Sequence, residues 1–306
     1  MSYKSMLFIV NLCAGQKKIA RKLSDVVSCF CQNGYLPTVL ATGYAGHARE
    51  IAREYAASYD LLVCAGGDGT LNEAVDGILE AGVRVPIGYI PCGSTNDLAT
   101  TLKLSRDIDR AARDVIEGRG IPLDIGVFNG RHFVYTASFG AFTSVSYATP
   151  QSVKNVLGHH AYLLEGVKNL GQLQPVYARI TADEQDFSGE YLFGSVSNTT
   201  SLAGILTLDS QRVKLNDGKL ELLLIEMPKN AIDVSQILLN IAQQKYEGLI
   251  HLISASRVEI ETESPLEWTL DGEYEKGGTR FVIDALPRAI RIISPEADSD
   301  LQEGDE

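Results

Sequence analysis

The residues with the most chemical potential form the run Gly66-Gly67-Asp68-Gly69-Thr70, preceded by apolar Leu61-Leu62-Val63-Cys64-Ala65 and followed by Leu71-Asn72-Glu73-Ala74-Val75. Three glycines in four residues, where a buried strand gives way to a helix, expose backbone N–H groups with no Cβ to block an approaching anion. A glycine-rich turn without a ligand is the competing reading. The central acid, the hydroxyl and the Asn72-Glu73 pair favour phosphate.

Four other clusters bear on the same chemistry. Asn11-Leu12-Cys13-Ala14-Gly15, with Lys17 and Lys18 behind it, places a flexible glycine and an ammonium at a helix opening, either a phosphate clamp or a surface lysine pair. Gly93-Ser94-Thr95-Asn96-Asp97 combines glycine, hydroxyls, an amide and an acid after another strand, and reads as a second polar loop or as a helix cap. Leu123-Asp124-Ile125-Gly126 sets an acid among apolar residues, as a hydrogen-bonded hinge group or as part of a magnesium network. Asp271-Gly272-Glu273 ends the alternating stretch 266–270; it is a turn, or a source of a carboxylate that takes a proton from a substrate hydroxyl while ATP is attacked. Asp68, Asp97 and Asp124 together supply negative density for a cation, and oxygen-only ligands beside phosphate suit magnesium.

The elements that must position these groups alternate in the first third of the chain. Apolar runs at 6–10, 37–41, 61–64 and 86–90 read as strands, and amphipathic runs at 17–32, 45–57 and 71–81 as helices. That alternation predicts βαβ crossovers and a largely parallel sheet with its ligand site beyond the carboxyl ends of the strands. After about Val127 the texture becomes strand-rich, with expected strands at 133–137, 176–181, 190–196, 219–225, 257–261, 266–270 and 280–285. Helices are expected at 153–170 and near 232–244, a hairpin turn at Glu275-Lys276-Gly277-Gly278, and a final strand at 289–293 that fits either half. The fold expected is a doubly wound α/β domain followed by a second, mainly antiparallel β domain. Trp268, Tyr135, Tyr147, Tyr162 and Tyr191 read as packing residues, and His159-His160 as a helix surface.

Composition narrows the function classes. The 306 residues carry a net charge of −12, which argues against a sequence-independent hold on nucleic acid. Five cysteines, an odd number confined to the first third, read as buried reduced thiols. With no signal-peptide pattern and no apolar run of about 18 residues, a soluble cytoplasmic protein is expected, with an acidic frayed tail from Pro295 to Glu306. Gly-x-Ser-x-Gly, His-Glu-x-x-His and Walker A patterns are absent, which disfavours hydrolase and P-loop readings.

Taken in order, the motifs resemble those of the bacterial diacylglycerol kinase-like lipid kinases, relatives of the eukaryotic diacylglycerol and sphingosine kinases. The resemblance runs through Asn11 to Gly15, Thr42-Gly43 with Gly46-His47-Ala48, Gly66 to Thr70 with Asn72-Glu73, and Gly93 to Asp97. It continues through Leu123 to Gly126, Lys154 with Leu157-Gly158 and Ala161-Tyr162, Asp217-Gly218-Lys219-Leu220, and Asp271-Gly272-Glu273. The glycine run alone is shared with NAD kinases and phosphofructokinases; the ordered set is more specific. It implies an ATP-binding α/β domain at 1–127, with 288–306 as a candidate completion, and a β-sandwich-like lipid domain at 128–287, with ATP and substrate meeting in the cleft.

The same resemblance implies ATP contacts from Asn11, Gly15, Lys17, Thr42, Gly66, Gly67, Asp68, Gly69, Thr70, Asn72, Glu73, Gly93, Ser94, Asn96 and Asp97. A magnesium-linked network would hold Asp68, Asp97 and Asp124, and a second, structural magnesium would use the Asp217 carboxylate with carbonyls near Lys214 and Lys219. Asp68 also counts in the catalytic set, with Asp271 as first choice for the base and Glu273 as second. The implied reaction moves the ATP γ-phosphoryl group to a lipid hydroxyl, diacylglycerol giving phosphatidic acid, at the inner membrane face through transient surface contact; a homodimer is one assembly left open. A kinase of a soluble acceptor such as NAD, and a nucleotide-binding regulator without catalysis, are the rival readings. Two departures stand out: Leu12-Cys13-Ala14 replaces the more polar Pro-Thr-Ser, and Leu202-Ala203-Gly204-Ile205 stands where relatives carry a richer glycine run.

Overall fold

The computed structural model of the chain describes residues 3–141, 174–202 and 206–295. The expected helix at 153–170 with its His159-His160, Tyr147, Tyr162, residues 203–205 and the tail beyond Pro295 lie outside the described residues. The chain forms two compact units. The first comprises the chain up to Ile125, Leu215–Asp217 and the C-terminal stretch from Leu286; the second comprises Gly126–Lys214 and Gly218–Ala285.

The first unit alternates as the apolar periodicity suggests: β1 (Lys4–Val10), α1 (Lys18–Gln32), β2 (Tyr35–Ala41), α2 (His47–Tyr55), β3 (Leu61–Gly66), α3 (Asp68–Ala81) and β4 (Ile87–Pro91). A short α4 (Asp97–Thr101), then α5 (Ile108–Glu117) and the start of β5 (Arg119–Phe128), follow; the pattern had not singled out these three. The sheet is parallel in the order β2-β1-β3-β4, with Ile292 of the C-terminal stretch parallel to Ile87. β1, β3 and β4 read as continuous apolar runs because helices cover both faces of a parallel sheet. Phe8 meets Phe30 of α1 edge to face at 5.4 Å, in a core that also holds Val26, Val63, Ile90 and Val115. α3 starts at Asp68, not at Leu71, so Asp68-Gly69-Thr70 forms its first turn, with Gly67 extended at the N-cap.

The second unit takes the end of β5 and adds β6 (Arg131–Phe133), β7 (Thr136–Gly140), β8 (Val176–Ala182), β9 (Gln185–Asp186), β10 (Gly189–Ser197), β11 (Ser201–Leu202), β12 (Leu206–Thr207) and β13 (Leu220–Glu226). It continues with α6 (Ala231–Ala242), β14 (Ile250–Ala255), β15 (Arg257–Leu270) and β16 (Glu273–Ser294) as far as Ala285. Its described strand pairs are antiparallel, in the order β14-β13-β10-β7-β15-β16, with β8 beside both β10 and β15. Trp268 lies fully buried among Phe128, Phe139 and Phe281, with ring centroids 4.8–5.3 Å away.

Several expectations need correction. The hairpin between β15 and β16 turns at Asp271-Gly272, where Leu270 pairs with Glu273, and not at 275–278. Both turn residues have positive φ, 49° and 85°, as a two-residue mirror-image turn requires, and Asp-Gly is among the pairs that favour that conformation. Gly277 and Gly278 lie inside the strand, near the register shift around Leu266. β14 is a strand that the apolar pattern does not mark. Of the cysteines, Cys64 and Cys92 are buried, but Cys13 and Cys31 are exposed. No helix among the described residues is long and apolar enough to cross a membrane.

Candidate phosphate-binding site

In the order β2-β1-β3-β4, the chain leaves β1 in one direction and lies on its other side at β3, so the carboxyl ends of these two strands form a topological switch point where a crevice opens. Three loops meet there. Asn11 closes β1: its N–H donates to the Ala65 carbonyl at 2.8 Å, and its Nδ2 donates to Thr70 Oγ1 at 3.0 Å. Its Oδ1 accepts from Cys13 N at 3.1 Å, so this amide shapes its own loop and ties it to the first turn of α3. Cys92 N donates to the Gly66 carbonyl at 2.7 Å, joining the β3 and β4 loops.

Glycine lets these backbones approach. A Cβ on Gly93 would fall 2.7 Å from Gly67 Cα, and one on Gly15 would fall 1.6 Å from the Cys92 carbonyl oxygen. Gly15 also has φ +50°, a region that costs other residues strain. Glycine at these positions therefore lets the three loops pack main chain on main chain and leaves their N–H groups unshielded by side chains, as an anion site requires.

Beside the cradle lies Asp68. Burial, and then the charge on Asp97, push its ionisation up to about 6, although the main-chain N–H groups of Asn96 and Asp97 pull the other way. Its Oδ1 is buried without a hydrogen-bond partner, and so is Oδ1 of Asn72, one turn along the same face of α3. Two open oxygen acceptors beside a phosphate cradle suit a hard cation that takes its remaining ligands from water and phosphate. Among the described residues no three His, Cys, Asp or Glu side chains converge to hold a metal by themselves. Magnesium thus fits as an ion shared with a nucleotide.

Other expected residues do different local work. Asn96, in the left-handed region at φ 52°, accepts from Gly93 N at 3.0 Å and from the Tyr89 hydroxyl at 3.1 Å, and donates to the Gly93 carbonyl at 2.8 Å. It braces the third loop, with Tyr89, which the sequence reading passed over because it sits in an apolar run. Glu73 accepts from Gly46 N at 2.8 Å and from Ala48 N at 3.1 Å, so its carboxylate satisfies the first turn of α2. Thr42 continues β2, with its N–H on the Val10 carbonyl at 2.9 Å. Gly69 lies in the first turn of α3, Ser94 is exposed on its loop, and Lys17 is exposed at the N-cap of α1.

Asp124 is fully buried in β5, where its N–H donates to the Leu215 carbonyl at 2.8 Å and its Oδ1 accepts from Arg288 N at 2.7 Å. Asp217 belongs to the first unit, Lys214 and Lys219 to the second. In the second unit Asp271 is buried: Oδ2 accepts from Val134 N at 2.6 Å, and Oδ1 from Tyr135 N at 3.0 Å and Thr136 N at 2.9 Å. That explains why the expected strand 133–137 breaks into β6 and β7: its N–H groups turn to a carboxylate there. Glu273 is solvent-facing and pairs with Arg131 at 3.0 Å; the same guanidinium holds Glu275. Arg131 gave no motif signal.

Comparison with known proteins bears on the family and the fold. The diacylglycerol kinase catalytic domain family matches residues 5–128. A diacylglycerol kinase of Bacillus subtilis (strain 168) is 36% identical over 302 residues, covering 96% of this chain and 97% of its own. One from Staphylococcus saprophyticus is 34% identical over 274 residues, 89% of each chain. A crystal structure of a diacylglycerol kinase from Bacillus anthracis str. Sterne matches with a TM-score of 0.76 at 23% identity, over 98% of this chain and 99% of that one, a likeness that carries the fold.

Proposed function

The chain belongs to the diacylglycerol kinase family, and from that premise we propose that it is an ATP-dependent lipid kinase that phosphorylates diacylglycerol to phosphatidic acid. The observation that carries the phosphoryl-transfer half is the glycine-walled cradle at the β1/β3 switch point, with the unpaired Asp68 oxygen beside it. In this reading 1–127, completed by 288–306, holds ATP, and 128–287 receives the lipid. Main-chain N–H groups of the three loops cradle the phosphates, Asn11 and Asn96 hold the loops in shape, and Asp68 with Asp97 would hold magnesium, Asp124 supporting them from β5. The ion, when bound with ATP, neutralises charge that builds up on the transferring phosphoryl group. A structural ion at Asp217 and the carbonyls near Lys214 and Lys219 remains part of the proposal.

For the proton, the proposal takes Glu273 ahead of Asp271. What supports this order is that both Asp271 oxygens are already engaged by three main-chain N–H groups, whereas Glu273 faces solvent in an ion pair that can exchange. Glu273 would accept the hydroxyl proton as the lipid oxygen bonds to the γ-phosphorus and the bond to the bridging oxygen breaks, leaving ADP. The enzyme would work at the cytoplasmic membrane face, in transient contact with lipid. The test is labelled ATP with magnesium and a panel of lipids in mixed micelles: labelled phosphatidic acid is expected, and label in NAD with none in any lipid overturns the reading.

A further inference from the structure

The turn between β2 and α2 carries an aromatic arrangement that the phosphate chemistry does not use. Tyr44 lies parallel to the His47 imidazole, with centroids 4.4 Å apart and planes 7° from each other. Its hydroxyl donates to Glu50 Oε2 at 2.5 Å, and His47 Nδ1 accepts from Gly43 N at 3.0 Å. Glu73 fixes the same turn to α3 through Gly46 N and Ala48 N. Yet Tyr44 is 58% exposed. Freezing a large ring costs rotamer entropy, and here little apolar area is buried in return.

We propose that Tyr44, seated on His47, is the platform on which the purine ring of the nucleotide stacks; this rests on reading the glycine cradle as a nucleotide phosphate site. The Thr42–Val10 bond sets the end of β2 level with the end of β1, on the edge where the cradle opens. With the strands ordered β2-β1-β3-β4, the glycines after β3 and β4 lie two and three strand spacings from that end, roughly 10–14 Å. An extended nucleoside triphosphate separates its base from its outer phosphates by a comparable span. A ring already held flat loses little freedom when a base settles on it, the general advantage of a preorganised site.

The test is calorimetric titration of the intact protein with magnesium AMP-PNP and, separately, with magnesium tripolyphosphate, which has no base. Tyr44→Ala and Tyr44→Leu are expected to weaken AMP-PNP binding about 10-fold and to leave tripolyphosphate binding and the melting temperature unchanged, while Tyr44→Phe stays within about 3-fold of wild type. Unchanged AMP-PNP affinity in Tyr44→Ala, or an equal loss for tripolyphosphate, overturns the platform and leaves the kinase reading standing. If wild type binds AMP-PNP through Tyr44 but phosphorylates no lipid, the platform stands and the lipid-kinase reading falls. A wild type that binds neither compound overturns both.

Discussion

Asp68 occupies the first turn of α3 with one buried, unpaired oxygen, and its ionisation is pushed up to about 6 by burial and by Asp97. An acid raised in the folded state keeps a proton that the unfolded chain has already released, so the folded state binds more protons between about pH 4 and pH 6, and stability falls as pH rises through that window. A rise of about two units corresponds to roughly 3 kcal/mol at most. In chelator, the stability of Asp68→Asn relative to wild type should therefore increase by about 2–3 kcal/mol from about pH 4 to about pH 7, read from urea midpoints; a constant difference would sink the assignment. An acid that works against its own fold at neutral pH makes physical sense where a cation binds. Asp271 is the opposite case. Asp271→Asn leaves buried N–H groups short of acceptors, and should cost about 3 kcal/mol or more. Glu273→Gln should melt close to wild type yet lose about 100-fold or more in phosphoryl transfer, the usual scale of a lost general base. If instead Glu273→Gln keeps full transfer, the base is elsewhere.

Among the elements, α2 and α3 illustrate how one acid organises a site from behind. Glu73 supplies acceptors to N–H groups at the start of α2 that no carbonyl in that helix can satisfy. Glu73→Ala should cost about 1–2 kcal/mol and speed hydrogen exchange at Gly46 and Ala48, with other α2 amides less affected. The loop after β4 is equally constrained. Gly93→Ala would drive a methyl group to 2.7 Å from both Gly67 Cα and Asn96 Oδ1, so the loops must separate, at about 1–3 kcal/mol. A weaker affinity for magnesium AMP-PNP, measured alongside the loss of stability, is the expected result.

Across the whole molecule, the chain passes between its two units at 125/126, 214/215, 217/218 and 285/286. The family match at 5–128 therefore stops short of what completes the first unit. Ile292 lies beside Ile87 of β4, and Arg288 N donates to the buried Asp124 carboxylate. A fragment of residues 1–125 lacks both partners, leaving a fully buried apolar strand as a bare edge and a buried acid without its donor. That fragment should aggregate or show poorly dispersed amide resonances, where the intact chain gives a cooperative transition. A fragment that folds as well as the intact chain would show that the C-terminal stretch is dispensable.

The alternation of apolar and amphipathic runs, the glycine run and the Asn96-Asp97 loop were legible because they rest on local physics: period, strand-to-helix turns, and the N–H groups a missing Cβ exposes. Asp271-Gly272 even announced a turn, although its place as the β15–β16 hairpin depended on which strands pair. What sequence could not decide is how buried charges are satisfied. Glu73, Asp124 and Asp271 look like ligand carboxylates in the chain. Only the fold shows them accepting main-chain N–H groups 25 to 164 residues away. Asp68 alone of these acids keeps a buried oxygen with no partner. A hydrogen bond between distant segments has no local signature, so the main-chain partners of a carboxylate become visible only once the chain is folded.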